Sequence, residues 1–178
     1  HVSTRIGVTE TWTDNVRLSP AGESELITEV RPGIRLDVNK AHLKGFLDYA
    51  LSGFTYAKST SANRSANTLS SNFKLEAIDN KLFLEAAGSI AEQAASAFGK
   101  QSVDATAINP NRTEVSTYRI APSLKGHIGT DATYSAQYSR SVMSTGTVGA
   151  SNSTTNELML HVKGDVDTQR LGWTMDFV

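Results

Sequence analysis

Apolar residues recur along this chain with a period of two, and that alternation limits the fold more than any other feature of the sequence. Successive side chains of a β-strand point to opposite faces, so alternation predicts strands with one greasy and one polar side. Between Glu25 and Val38, the residues Leu26, Val30, Pro32, Ile34, Leu36 and Val38 share one face, and Glu25, Glu29, Arg31, Arg35 and Asp37 share the other. The same separation sets Leu69, Phe73, Leu75 and Ala77 against Ser70, Asn72, Lys74 and Glu76. It sets Tyr118, Ile120, Pro122 and Leu124 against Thr117, Arg119, Ser123 and Lys125. Ala132, Tyr134, Ala136 and Tyr138 alternate with Thr133, Ser135, Gln137 and Ser139, and Leu158, Leu160 and Val162 with Glu157, His161 and Lys163. Leu171, Trp173, Met175 and Phe177 oppose Arg170, Gly172, Thr174 and Asp176. Near the start, Ile6, Val8 and Trp12 form a face that Glu10 interrupts, and Leu43 to Tyr56 sets Leu47, Tyr49 and Leu51 against Phe46 and Phe54. Residues 82–98 also carry a helical stripe of Phe83, Ala87, Ile90, Ala94 and Phe98. Leu82, Leu84, Ala86 and Ile90 nevertheless alternate in phase with their neighbours and predict a strand from Lys81 to Gln93. About nine strands result.

The connections alternate in length. Asn39 to His42, Ile78 to Lys81, Gly126 to Asp131 and Gly164 to Gln169 are brief and rich in turn formers. Asp14 to Ser24, Lys58 to Asn67, Ala94 to Thr113 and Ser144 to Thr155 are long and polar. Short turns at one end and long loops at the other are the pattern of an antiparallel up-and-down transmembrane β-barrel, with the turns in the periplasm and the loops outside. The repeating unit is then a β-hairpin of about forty residues. Val30-Arg31-Pro32-Gly33-Ile34-Arg35 resembles Ile120-Ala121-Pro122-Ser123-Leu124-Lys125, and Asn63-Arg64-Ser65 resembles Asn111-Arg112-Thr113. No internal domain boundary interrupts residues 1–178, which read as a single β-barrel region.

Composition removes several classes of function. With 17 basic and 18 acidic residues and a net charge of −1, the chain lacks the positive field that nucleic acid would require. The absence of cysteine excludes thiolate metal sites and cysteine nucleophiles. Apolar runs end at three residues, as in Leu82-Phe83-Leu84, whereas a spanning helix needs about 20. The first residues form no basic and then apolar leader, so the expectation is that any secretion signal has already been removed.

Alternation also suits a soluble or surface-attached β-sandwich, for example an adhesin-like binding module, whose apolar faces pack on each other. Three features favour lipid. Strands of ten or more residues exceed the usual 5–6 of globular sheets. The polar face mixes Ser, Thr, Asn and Gln with charges of both signs, as a wet lumen would. Aromatic residues sit within or at the ends of strands, where membrane interfaces draw them. The candidate lumen-facing charges are Glu29, Arg31, Arg35, Asp37, Lys44, Asp48, Lys74, Glu76, Arg119 and Lys125. Their mixed signs favour cross-strand ion pairs over a field selecting one ion. The candidate lipid-interface aromatics are Trp12, Tyr49, Tyr118, Tyr134, Tyr138, Trp173 and Phe177, with Phe54, Tyr56 and Phe73 included on the same grounds.

No catalytic, cofactor or metal site is expected, and the chain does not read as an enzyme. His1, His42, His127 and His161 form no His-x-x-x-His pair, and no Gly-x-Ser-x-Gly elbow occurs. A barrel hydrolase built on His161 would need a serine and an acid that the sequence alone does not identify. Asp165 and Asp167 read as a solvated turn and not as calcium ligands. Asn63-Arg-Ser and Asn111-Arg-Thr match a glycosylation sequon but read as polar residues entering a strand. Pro32 and Pro122 are expected at irregular or terminal strand positions, because proline donates no ladder hydrogen bond.

Particular wording adds to the pattern: Thr11-Trp12-Thr13-Asp14-Asn15-Val16, Leu82-Phe83-Leu84-Glu85-Ala86, Ala97-Phe98-Gly99, Asn111-Arg112-Thr113-Glu114-Val115-Ser116-Thr117-Tyr118, Ile120-Ala121-Pro122 and Arg170-Leu171-Gly172-Trp173. In combination, over nearly the whole chain, these resemble the PEP-CTERM system-associated outer-membrane β-barrel protein family. The resemblance implies a Gram-negative outer-membrane barrel, porin-like or scaffold-like, that accompanies exopolysaccharide and protein-sorting loci. Its partners would be outer-membrane lipid and exopolysaccharide or its export machinery. Members of that family are longer than this chain, so the resemblance implies an N-terminal portion of a larger barrel.

Overall fold

The computed structural model describes residues 1–129, 132–146, 152–164 and 174–177. Nine antiparallel strands form one sheet in chain order. They are β1 (Val2–Thr13), β2 (Glu25–Asn39), β3 (Leu43–Tyr56), β4 (Arg64–Ile78), β5 (Leu82–Ala94), β6 (Arg112–Ile128), β7 (Ala132–Thr145), β8 (Ser153–Gly164) and β9 (Thr174–Phe177). The all-β, up-and-down order is the one the alternation predicts. A single 3-10 turn, Thr60–Ala62, is the only helical element among the described residues. Residues 82–94 are strand and not helix: β5 is paired on both sides, to β4 and β6, and those ladders outweigh the helical propensity of its Ala and Glu. Several connections are shorter than the sequence predicts: Arg64 to Asn67 already belong to β4, Arg112 and Thr113 to β6 and Ser153 to Thr155 to β8, while Gly126 to Ile128 still belong to β6. Asp165, Asp167 and Trp173 lie outside the described residues.

Directly opposed residues share a face, so the registers assign the side chains of the strand bodies; beyond the end of the β4–β5 ladder Glu92, in phase with the apolar face, meets Arg64 of the polar face. Val8, Val30 and Gly53 are opposed in turn on the apolar face, and Glu29 and Phe54 on the polar face. No second layer of described residues covers the apolar face, where Ile6 is 74% exposed, Trp12 70% and Leu158 63%. Three aromatic rings on this face lie over glycines of the neighbouring strand: Phe73 over Gly45, Tyr118 over Gly88 and Tyr134 over Gly126. Each ring fills the space a Cβ would take, a packing that steadies glycine in sheets.

The two prolines are interior. Pro32 opposes Ile6 on β1, but the β2–β3 ladder skips from Val30 to Gly33; Pro122 opposes Leu84 on β5, while the β6–β7 ladder skips from Ile120 to Ser123. Register is kept across both gaps, so each proline is irregular through its missing N–H and not through a bulge or a strand end.

The strands are also staggered. A row of cross-strand partners starts at Val2, the first residue of β1, and runs through Leu36, Leu47, Ser71, Gly88, Tyr118 and Val142 to Thr154. Thr154 is at the opposite, long-loop end of β8, which continues ten residues further to Gly164. At about 3.4 Å per residue this is a shift of about 34 Å across seven steps of about 4.8 Å, so the strands lean about 45° from the line joining their ends.

The main buried cluster is on the polar face, at the long-loop end. Ile27, Phe54, Tyr56 and Ala66 from the strands pack with Val16 from loop 14–24, and Ala62 and Ile108 close over them. Phe54 and Tyr56 are therefore not lipid-interface aromatics, contrary to the sequence expectation: both belong to the polar face and are covered by loops that fold back over the strand ends.

Candidate functional site

All ten candidate lumen-facing charges fall on the polar face of the sheet by register. Several are paired, along one strand or across strands. Arg35 grips Asp37 through Nε (2.9 Å) and Nη2 (2.8 Å), and its Nη1 approaches Asp48 at 3.4 Å. Arg5 on β1 reaches Asp48 on β3 with both Nη atoms, crossing β2 at Gly33, where an added Cβ would stand 3.0 Å from the Arg5 Nε. Gly33 thus leaves the gap through which this pair forms. Lys44 and Lys74 stand directly opposite each other, and Lys74 turns away to Glu85 at 3.1 Å. Lys74 and Lys125 both lie over the Phe83 ring. Glu76 faces His42, while Glu29, Arg31, Lys44, Arg119 and Lys125 have no ion pair among the described residues.

On the other face, Trp12, Tyr49, Tyr118, Tyr134, Tyr138 and Phe177 share the side of the exposed aliphatic residues. The Tyr49 hydroxyl donates to Asn67 and the Tyr138 hydroxyl to Asn156, both at 2.8 Å. These tyrosines combine an apolar body with a satisfied polar tip, as interfacial tyrosines do.

The most elaborate arrangement lies at the long-loop end, and sequence reasoning missed it. Loop 95–111, between β5 and β6, crosses the polar face as a strap. Its Ile108 N–H donates to the Val16 carbonyl (2.7 Å), and Lys100 Nζ donates to the Arg17 carbonyl (3.1 Å). The Tyr56 hydroxyl donates to the Thr106 carbonyl (2.8 Å). Arg64 and Arg112 hold the loop from below, both donating to the Ala105 carbonyl, at 2.6 and 2.9 Å, and Arg112 also to the Asp104 carbonyl. Glu92 lies between the two guanidinium groups, 2.5 Å from Arg64 and 3.5 Å from Arg112. Asn111 closes the base of the loop, accepting from the Ser96 N–H at 2.8 Å and donating back to its carbonyl at 2.8 Å.

Loop 57–63 is tied down differently. Glu25, the first residue of β2, lies beyond the last apolar pair, Trp12 and Leu26, and is buried. Its carboxylate accepts the N–H groups of Lys58 and Ser59, each at 2.9 Å, and of Leu26 at 3.1 Å. Burial pushes this carboxyl up, but the N–H donors of Lys58 and Ser59, with help from the Ser59 hydroxyl and Leu26, hold it below its usual range.

One row carries the elements of nucleophilic chemistry. Ser135 is directly opposite His161, and His161 is directly opposite Asp176, whose carboxylate bonds to Nδ1. The acid fixes the imidazole. Among the described residues Ser135 makes no hydrogen bond to His161, and around it β7 is an interior strand whose N–H groups are engaged in ladders and not free to meet an oxyanion. No cluster of three or more His, Asp or Glu able to hold a metal ion occurs among the described residues.

No protein-family model matches the chain, and neither the curated proteins nor the solved structures contain a match to it.

Proposed function

We propose that this chain forms the wall of an outer-membrane β-barrel, porin-like or scaffold-like, associated with exopolysaccharide export or surface assembly. The observation that carries the reading is the uncovered apolar face: one sheet, with Ile6, Val8, Trp12 and Leu158 among the exposed residues and no second layer among the described residues. A sheet with this much exposed aliphatic surface needs an apolar solvent. Lipid supplies it, and in lipid every backbone polar group must be paired within the protein, as continuous antiparallel ladders do. Two further features support the reading. The lean of about 45° is within the range for strands of transmembrane barrels. Strands β1 to β8 have 12 to 17 residues, enough for the 9–11 that a tilted strand needs to cross. The short turns would then face the periplasm and the strap loop the exterior. The link to exopolysaccharide rests on the resemblance to PEP-CTERM system-associated barrels.

The experiment is folding into phospholipid vesicles, followed by heat-modifiable migration on gels and conductance across a planar bilayer. A barrel migrates faster unboiled than boiled and raises bilayer conductance. Protein that stays monodisperse in plain buffer, with its apolar face packed on a second layer, would overturn the proposal.

A further inference from the structure

We propose that the cleft between the strap loop and the strand ends beside it binds the oxyanion of an acidic sugar, a carboxylate or a phosphate. This deepens the barrel reading and takes its orientation from it. The cleft has a volume of about 530 Å3, within the range of ligand pockets. Four cationic side chains line it, Arg17, Arg64, Lys100 and Arg112, against one carboxylate, Glu92. Glu92 is shared between Arg64 and Arg112, and one carboxylate cannot neutralise two guanidinium groups. The site is therefore positive although the chain as a whole has a net charge of −1.

Donors remain available. A guanidinium carries five N–H groups. Arg17 bonds Glu23 through Nε alone, Arg64 uses Nη1 and Nη2 once each, and Arg112 uses Nη1 toward both the Ala105 carbonyl and Glu92 and Nη2 once, which leaves its Nε free among the described residues. The groups are also held in place: the Arg64 guanidinium lies 4.4 Å over the Phe54 ring, and the loop carbonyls fix Arg112. Donors already ordered lose little entropy when an anion arrives, and a planar fork suits carboxylate and phosphate oxygens.

The walls argue for a sugar over a bare ion. Ile108 and Pro110 line the same cleft and offer apolar surface that a small inorganic anion would leave uncovered. A sugar ring presents C–H groups to such a wall while its acid group meets the guanidinium groups. At the long-loop end, the site would face outside the cell, where an acidic polymer would meet it.

The test uses the full chain folded in detergent micelles or vesicles, with calorimetric titration of a galacturonate hexamer, glucose 6-phosphate, a neutral glucose hexamer and inorganic phosphate. The expected result is binding of at least one acidic sugar, weakened about tenfold when salt rises from about 50 to about 500 mM. The double variant Arg17→Gln with Lys100→Gln should weaken it about tenfold further, because each removes a charge-assisted donor. Those two residues sit at the exposed rim, and an unchanged unfolding midpoint verifies that the variant folds. Galacturonate binding alone assigns the carboxylate, and glucose 6-phosphate binding alone assigns the phosphate. The proposal is overturned if neither acidic sugar binds, if the neutral hexamer binds equally well, or if inorganic phosphate binds as tightly as either sugar. Insertion and conductance are measured on the same preparation. Protein that conducts but ignores acidic sugars refutes this site alone, whereas failure to insert refutes the barrel and leaves the titration readable.

Discussion

Replacing Ile6 by arginine should separate a lipid-facing sheet from a water-facing one. Ile6 lies in the apolar run of β1, directly opposed to Pro32, with 74% of its surface exposed. If that surface meets water, an arginine there changes stability by no more than about 0.5 kcal/mol, as surface substitutions do. If it meets hydrocarbon near the midplane, the same change costs about 2–4 kcal/mol. The control is Thr9→Arg on the polar face of the same strand, opposite Glu29, where the added charge meets an acid. Urea-driven unfolding from phospholipid vesicles, followed by tryptophan fluorescence, measures both variants against the parent. The expectation is a large loss for Ile6→Arg and a loss below about 0.5 kcal/mol for Thr9→Arg. Equal effects at the two positions, or a negligible one at Ile6, would refute the assignment of faces to solvents.

Gly33→Val should block the path of Arg5 to Asp48; in that background Arg5→Ala should have no further effect on the unfolding midpoint, whereas in the parent it should lower it. Ile27→Ala, at a fully buried position beneath the strap, should destabilise by about 2–5 kcal/mol, and limited trypsin digestion should cut faster at Lys100. Tyr56→Phe, which leaves the Thr106 carbonyl without its donor, should cost about 1–3 kcal/mol and speed the same cleavage. The folded Glu25 carboxyl titrates below its ordinary value of 4.5, so the stability it contributes is fully present above that value and is lost as pH falls through the lower folded value. The protection factors of the Lys58 and Ser59 amides, taken relative to the intrinsic exchange rate at each pH, should therefore fall on acidification below pH 4.5, and in Glu25→Gln they should be low at every pH.

Strands and faces were legible because alternation is local: each side chain's face follows from its neighbours two positions away, and antiparallel pairing of consecutive strands preserves it. Leu82 to Ala94 was ambiguous on propensity and was settled by phase, a property of the whole sheet. The loops were not legible in the same way. Ile108 meets Val16 and Lys100 meets Arg17 across more than eighty residues, and no periodicity announces such contacts. Phe54 and Tyr56 were misassigned for that reason: the sequence places aromatics at a strand end but does not reveal the loop that buries them. Glu25 shows the converse, a charged residue on the expected face that is buried because three N–H groups satisfy it.

One signal of the strap was present in the sequence, in the repeated Asn-Arg-Ser and Asn-Arg-Thr, and the structure gives it a physical meaning. Both triplets stand where a long loop re-enters a strand. Asn63 accepts from the Tyr56 N–H at 2.9 Å and Asn111 from the Ser96 N–H at 2.8 Å, so each asparagine joins the two ends of its own loop. The arginine that follows does the same task in both copies, reaching Glu92 and the Ala105 carbonyl. Glu92 is on β5, between the strands that begin with Arg64 and Arg112. The β4–β5 ladder ends at Leu69 and Ile90, five residues short of Arg64 and four short of Ala94. Over that stretch backbone pairing gives way to side chains: Arg64 to Glu92, and Asn67 Nδ2 to Glu114 at 3.0 Å. The repeated triplet is therefore a clamp on the open end of one seam, and the strap it holds forms one wall of the cationic cleft. A conservative Arg64→Lys or Arg112→Lys change should loosen the strap, since an ammonium lacks the fixed planar fork that serves Glu92 and a carbonyl together.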